Sequence, residues 1–349
     1  MNDTTVNIYD NQAYLISIID LLNKTISQFG LGLIMFMGNI GSVLTCIVFY
    51  QPTFHKNPCA MYFLASSFSQ FFTFNFSLLT RMIHYGYNIQ TLNTSLWYCK
   101  TRSYLFYLFI AIPRYNIIFA SIDRYFASSR DALRRQWSSS KIAFRLIIGN
   151  IFFWCILYIQ VIIFYDITTG TCYYQSGAYG MFFSIYISID SGILPTCLML
   201  VFGLLTLNNV HQTRKRINPG LQPDRTRSIR FGKMSKKDVQ FHRMLANQIC
   251  LFVILNLPNP CYLIYRSSTL YAVKSPLRRT VESFVGNMTY VPIYLGFSLT
   301  FANFAISSQI FRQEFIQFIQ TKILRRTVAS VTRDRIIAVR ALRSKDENE

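Results

Sequence analysis

Five stretches of this chain contain no Asp, Glu, Lys or Arg: Phe29 to Tyr50, Pro58 to Thr80, Leu146 to Tyr165, Met244 to Tyr265 and Ser283 to Phe311. Each reaches the roughly 20 residues a helix needs to cross about 30 Å of hydrocarbon. Ser103 to Ser121 and Tyr179 to Leu207 join them once a single interior charge is allowed, Arg114 in the first and Asp190 in the second. The count predicts seven spans. Inside lipid a spanning segment has to satisfy its own backbone hydrogen bonds, so helices are the expected form. With 52% hydrophobic and 14% charged residues, the chain lies outside the range of ordinary soluble domains. The expected fold class is an all-α membrane protein, a seven-helix transmembrane bundle.

Where the charges fall predicts the orientation. The net charge is +20, yet 26 of the 35 Lys and Arg residues lie around 51–57, 124–145, 209–243 and 312–345. Those are alternate connections plus the C-terminal segment, so they share one side of the membrane. The positive-inside rule makes that side cytoplasmic and the N-terminus external. The charge then reads as a topology signal with some attraction to anionic membrane lipid, and nucleic acid is not an expected partner. The first 25 residues lack a basic region followed by an apolar core, so no cleavable leader is expected and the first span inserts itself. The four histidines, His55, His84, His211 and His242, lie in or beside predicted loops. No metal site, cofactor site or nucleophile constellation emerges, and no enzymatic activity is expected.

The chain divides into a short polar external segment, 1–26, the spans within 27–307, an amphipathic stretch at 308–324 and a basic cytoplasmic tail, 325–349. Sequons at Asn2, Asn23 and Asn93 fall on the predicted outside and are candidate glycosylation sites. In the amphipathic stretch, Phe311, Phe315, Phe318, Ile319 and Ile323 make one helical stripe, the pattern of a helix lying in the cytoplasmic membrane interface. Of the eight cysteines only Cys99 and Cys172 fall in segments assigned to the outside.

The stretch from Cys99 to Tyr125 is the most specific. A cysteine opens it, an apolar run fills it, and Asp123-Arg124-Tyr125 closes it, with 25 residues from Cys99 to Arg124. It resembles the third membrane helix of a class A (rhodopsin-like) G-protein-coupled receptor. Pro195 in the fifth span, Phe252 and Pro258 in the sixth, and Ser308, Phe311-Arg312 and Phe315 after the seventh match that family as well. The chain departs from it at Gln70, Gly203, Asn256 and the run Thr300 to Phe304, which lacks the usual Asn-Pro-x-x-Tyr. The resemblance covers roughly 27–323.

Several expectations follow from the resemblance. Cys99 is disulfide-bonded to Cys172 in the second outside loop. Arg124 pairs with Asp123 and with Asp238 on the sixth helix, closing the cytoplasmic side until the helix swings about Pro258 to admit a heterotrimeric G protein. Phe106 holds the place of the amine receptors' aspartate and Tyr294 that of the opsins' lysine, which argues against both ligand classes and makes the two residues ligand-pocket candidates. The expected ligand is an extracellular peptide at the plasma membrane; a small-molecule chemosensory ligand is the alternative, and a seven-helix transporter, which internal repeats would favour, the rival class. Lys274, Arg278 and Arg279 in the last outside loop read first as solvated charge and second as groups that would suit an acidic ligand. Arg114 lies about ten residues, roughly 15 Å, from either end of its helix, too far to reach water comfortably, so it is expected to meet Asp190 on the neighbouring fifth helix.

Overall fold

The computed structural model describes residues 3–129, 131–168, 170–175, 177–217, 236–269 and 272–324. Asn2, the segment 218–235 of the basic connection and the tail from Arg325 lie outside the described residues.

Helix α1, Asp3–Thr25, runs through a π-turn at Ile26–Gly30 directly into α2, Leu31–Phe49. The expected external segment 1–26 is therefore helical where it is described. No glycine or proline interrupts the chain before Gly30, so nothing in the backbone stops the helix at the membrane surface. Asn57 caps α3, Pro58–Phe72, its Oδ1 accepting from the Cys59 and Ala60 amides at 3.0 and 3.4 Å, with Pro58 at the first position. A π-turn at Thr73–Leu78 carries α3 on into α4, Leu79–Gly86. Here α2 comes close: a Cβ on Gly38 would fall 2.3 Å from the Phe74 ring.

After the single turn α5, Thr91–Thr94, comes the 32-residue α6, Leu96–Ala127, buried over most of its length. Asp131 caps α7, Ala132–Arg135, and Ser139 caps α8, Ser140–Leu157, which leads to α9, Ile159–Phe164. Strands β1, Tyr165–Thr168, and β2, Thr171–Tyr174, form an antiparallel hairpin pairing Tyr165 with Tyr174 and Ile167 with Cys172. Gly170 turns it at φ 74°. A disulfide from Cys172 to Cys99, with Cα atoms 5.7 Å apart, ties the hairpin to the start of α6.

Helix α10, Ala178–Ser188, passes through a π-turn at Ile189–Ile193 into α11, Leu194–Ile217. Pro258 divides the next long rod into α12, Lys236–Asn256, and α13, Pro258–Ser268. Then follow α14, Pro276–Met288, α15, Tyr290–Ser298, α16, Thr300–Ser307, and α17, Gln309–Phe318, the last continued by a π-turn to Leu324.

Among the described residues five helices are long and apolar enough to cross a membrane: Asn11–Phe49, Leu96–Ala127, Ser140–Phe164, Ala178–Val210 and Lys237–Ser268. Pro276–Ser298 with Thr300–Ser307, bent by 41°, makes a sixth if the pair is one span. The segment from Pro58 to Gly86 is also helical throughout, and it carries Ser66, Ser67, Ser69 and Gln70 among its apolar residues. The packing is apolar outward and polar inward: Phe152, Phe153 and Ile156 are exposed, while Ser66, Gln70, Asn116, Asn150 and Asp190 are buried. That inversion suits a helical multi-pass membrane protein, in which lipid covers the outer faces.

Candidate binding cavity and ion cluster

At the hairpin end the helices leave a cavity of about 890 Å³, within the range of small-molecule sites. Phe106, Tyr107 and Tyr290 give it aromatic walls, and the hairpin covers it through Tyr165, Cys172 and Tyr173. Asn93 holds that cover, its Oδ1 accepting from the Cys172 amide at 3.0 Å. The Tyr107 and Tyr165 hydroxyls meet at 2.8 Å.

The cavity is rich in cations. Arg81, only 7% exposed, donates to Asn287 Oδ1 at 2.7 Å and stacks on Tyr290, 3.9 Å from the ring centroid. Asn287 in turn donates to Asn23 Oδ1 at 2.7 Å and to Ser27 at 3.0 Å, locking α14 to the first helix. Arg102 donates to Thr80 at 3.1 Å and lies 4.8 Å from the Phe106 centroid; Arg266 lies over Tyr173 at 4.5 Å. At the rim Lys274 and Arg278 both bind Glu282, at 2.5 and 2.9 Å. Of the residues singled out from sequence, Phe106 and Lys274 line this cavity, as does Arg279. Tyr294 is fully buried among Phe106, Ile110 and Leu78, below the cavity wall that Tyr290 provides. The roles of Arg81, Arg102 and Arg266 were not visible in the sequence, where each reads as an ordinary charge near a span end.

Deeper in the bundle Arg114 and Asp190 are buried neighbours, as the sequence suggested, but their contact is not carboxylate to guanidinium. Arg114 donates from a terminal nitrogen to the Asp190 backbone carbonyl, at 3.4 Å. The carboxylate accepts instead from Tyr115, at 2.8 Å, and Tyr158, at 2.5 Å. The π-turn explains this. In such a turn a carbonyl faces the N–H five residues on, and for Asp190 that residue is Pro195, which has none. Arg114 fills the gap, and the two phenols relieve the carboxylate. Beside them is a space of about 20 Å³, the size of one water molecule.

At the opposite end of α6, Arg124 is 2% exposed. Its Nε and one terminal nitrogen donate to Asp123 Oδ2 at 3.0 and 2.6 Å, and the other reaches Asp238 Oδ1 on α12 at 3.1 Å. Ser138 donates to the free oxygen of Asp123 at 2.7 Å. Tyr125 packs on Phe202, 5.7 Å between ring centroids. Phe252 is buried in the main apolar core, and Pro258 opens α13 on an exposed face.

A second polar set at this end escaped the sequence reading. Asn303 donates to Gln248 at 2.7 Å, Asn247 to Ser307 at 2.7 Å, and Gln240 accepts from Ser308 at 2.7 Å and from the Ile310 amide at 2.9 Å. These amides join α12 to α16 and α17 across the stretch that lacks Asn-Pro-x-x-Tyr. Gln240 and the pair Asn247-Gln248, two helical turns apart on α12, were the available signal. No protein-family model matches the chain, and no curated protein sequence does.

Proposed function

We propose that this chain is a seven-helix receptor of the rhodopsin-like G-protein-coupled type, with the Pro58–Gly86 segment as the seventh span. The hairpin end faces outward at the plasma membrane, and the Arg124 end faces the cytoplasm and a heterotrimeric G protein. The observation that carries this reading is the layout of α6: a cavity and a disulfide-anchored cover at one end, and a buried arginine bridged to α12 at the other. One rigid helix thus connects a site that could admit a ligand to an ion cluster that could open. The ligand class favoured is a peptide entering beneath the hairpin. The Asp123–Arg124–Asp238 cluster biases the closed state, and ligand shifts the population away from it.

The test has two parts in transfected cells. Epitope tags at the N-terminus and after Asp346 should be accessible outside and inside respectively, and membranes should catalyse nucleotide exchange on added G protein when the ligand is found. Tags on the same side, or exchange in none of the G-protein classes after a ligand is bound, would overturn the reading.

A further inference from the structure

Two guanidinium groups share one aromatic ring inside the cavity. The Arg81 carbon lies 5.5 Å from the Phe106 centroid and the Arg102 carbon 4.8 Å. Neither arginine has an ion-pair partner among the described residues. Among the described residues, the one carboxylate lining the cavity, Glu282, is already held by Lys274 and Arg278 at the rim, and Tyr265 also donates to it. Arg81 is nine-tenths buried, and its Nε is enclosed with no hydrogen-bond partner. Two like charges in a confined, largely aromatic chamber repel each other at low effective dielectric, and burial without a counter-charge adds to the cost. Arrangements of this kind persist where they serve a bound anion, as arginine's planar fork does for carboxylates.

We propose that the cavity recognises a carboxylate on an apolar body, the anionic group bridging Arg81 and Arg102 while the apolar part rests against Phe106, Tyr107 and Tyr290. This deepens the receptor reading and rests on it for the ligand's role. The free C-terminus of a peptide and a small aromatic acid present the same chemistry. Arg266, which faces the same space from α13, adds a favourable field on the entry path.

The experiment measures binding on the purified full-length protein by thermal-shift titration, without G protein. Four probes are used: 3-phenylpropionate, its neutral amide, and the peptide Gly-Gly-Phe with a free and with an amidated C-terminus. Each acid should bind about tenfold or more tightly than its amide, the discrimination expected of charge-assisted hydrogen bonds. Arg102→Gln should reduce that preference to within about twofold, and Arg102→Lys should keep part of it. Arg102 is half-buried and braces no other helix than its neighbour through Thr80, so the folded variant is obtainable; its unfolding midpoint checks this. Tighter binding of the free peptide assigns the carboxylate to a peptide terminus, and tighter binding of phenylpropionate assigns it to a small acid. Equal binding of acids and amides, a preference that survives Arg102→Gln, or no binding of either acid at millimolar concentration would overturn the proposal. Acid binding that never stimulates nucleotide exchange would leave this site standing and count against the receptor reading alone.

Discussion

Thr73 donates its hydroxyl to the carbonyl of Phe109 at 2.5 Å, the acceptor that Pro113 leaves without a helical partner. Ser66 does the same for the carbonyl of Pro113 at 3.0 Å, and Ser77 approaches that of Phe106 at 3.4 Å. Three hydroxyls of the Pro58–Gly86 segment, those of Ser66, Thr73 and Ser77, are thus aimed at the backbone of α6. In hydrocarbon an unsatisfied carbonyl is costly, so a proline in the central helix and a serine- and threonine-rich neighbour belong together.

Replacing Thr73 with valine should therefore lower stability by about 1 kcal/mol, and with serine by less, because the acceptor on Phe109 would be stranded only in the first case. Thermal unfolding of the purified variants decides it. Equal midpoints for valine and serine would show that the bond contributes nothing.

Asp238→Asn should raise ligand-independent nucleotide exchange. Asp238 is about a third exposed, so its bond to Arg124 is screened and contributes about 1 kcal/mol or less, which corresponds to at most roughly a fivefold population shift. Arg124→Ala should lower stimulated exchange, since it removes the group the G protein would meet. A normally expressed Asp238→Asn protein with wild-type basal exchange would count against the cluster as a latch.

Because Arg114 serves a main-chain carbonyl, exchanging Arg114 and Asp190 should not restore function. Pro195→Ala should instead reduce the dependence on Arg114, since alanine returns an N–H to the Asp190 carbonyl. A double-mutant cycle of Arg114→Gln with Pro195→Ala should show coupling of about 0.5–1 kcal/mol in thermal stability. Strict additivity, or rescue by the swapped pair, would restore the simple ion pair.

Cys99 and Cys172 should be recovered linked in non-reducing peptide maps of surface protein. Replacing both should lower stability, by an amount comparable to the roughly 2–5 kcal/mol that native disulfides contribute in small secreted domains. Asn93→Ala should have a smaller effect in the same direction, since it releases the Cys172 amide.

What could be read ahead of the structure tracks the range over which each signal acts. Charge-free blocks long enough to span are a local property, so the helices from Leu146, Met244 and Ser283 were visible, as was the amphipathic stripe of α17. The helix Asp3–Thr25 was not legible because a polar stretch carries no apolar stripe to announce it, although no residue there breaks a helix. Arg114 and Asp190 could be paired by eliminating other acids, yet the atoms that meet depend on a π-turn, which composition does not announce. The gathering of Arg81, Arg102 and Arg266 needs three elements to converge, and no spacing along one chain reports that.

The Asn287 amide makes the hairpin end of the bundle respond as a unit. One side of this group accepts from Arg81 on the cavity floor, and the other donates to Asn23 and Ser27 on the first helix. An occupant that draws the Arg81 guanidinium toward itself should also pull, through Asn287, on Ser27 in the π-turn at Ile26–Gly30. The N-terminal rod would then tilt with each occupancy, and a probe attached near Tyr14 could follow its angle without touching the pocket.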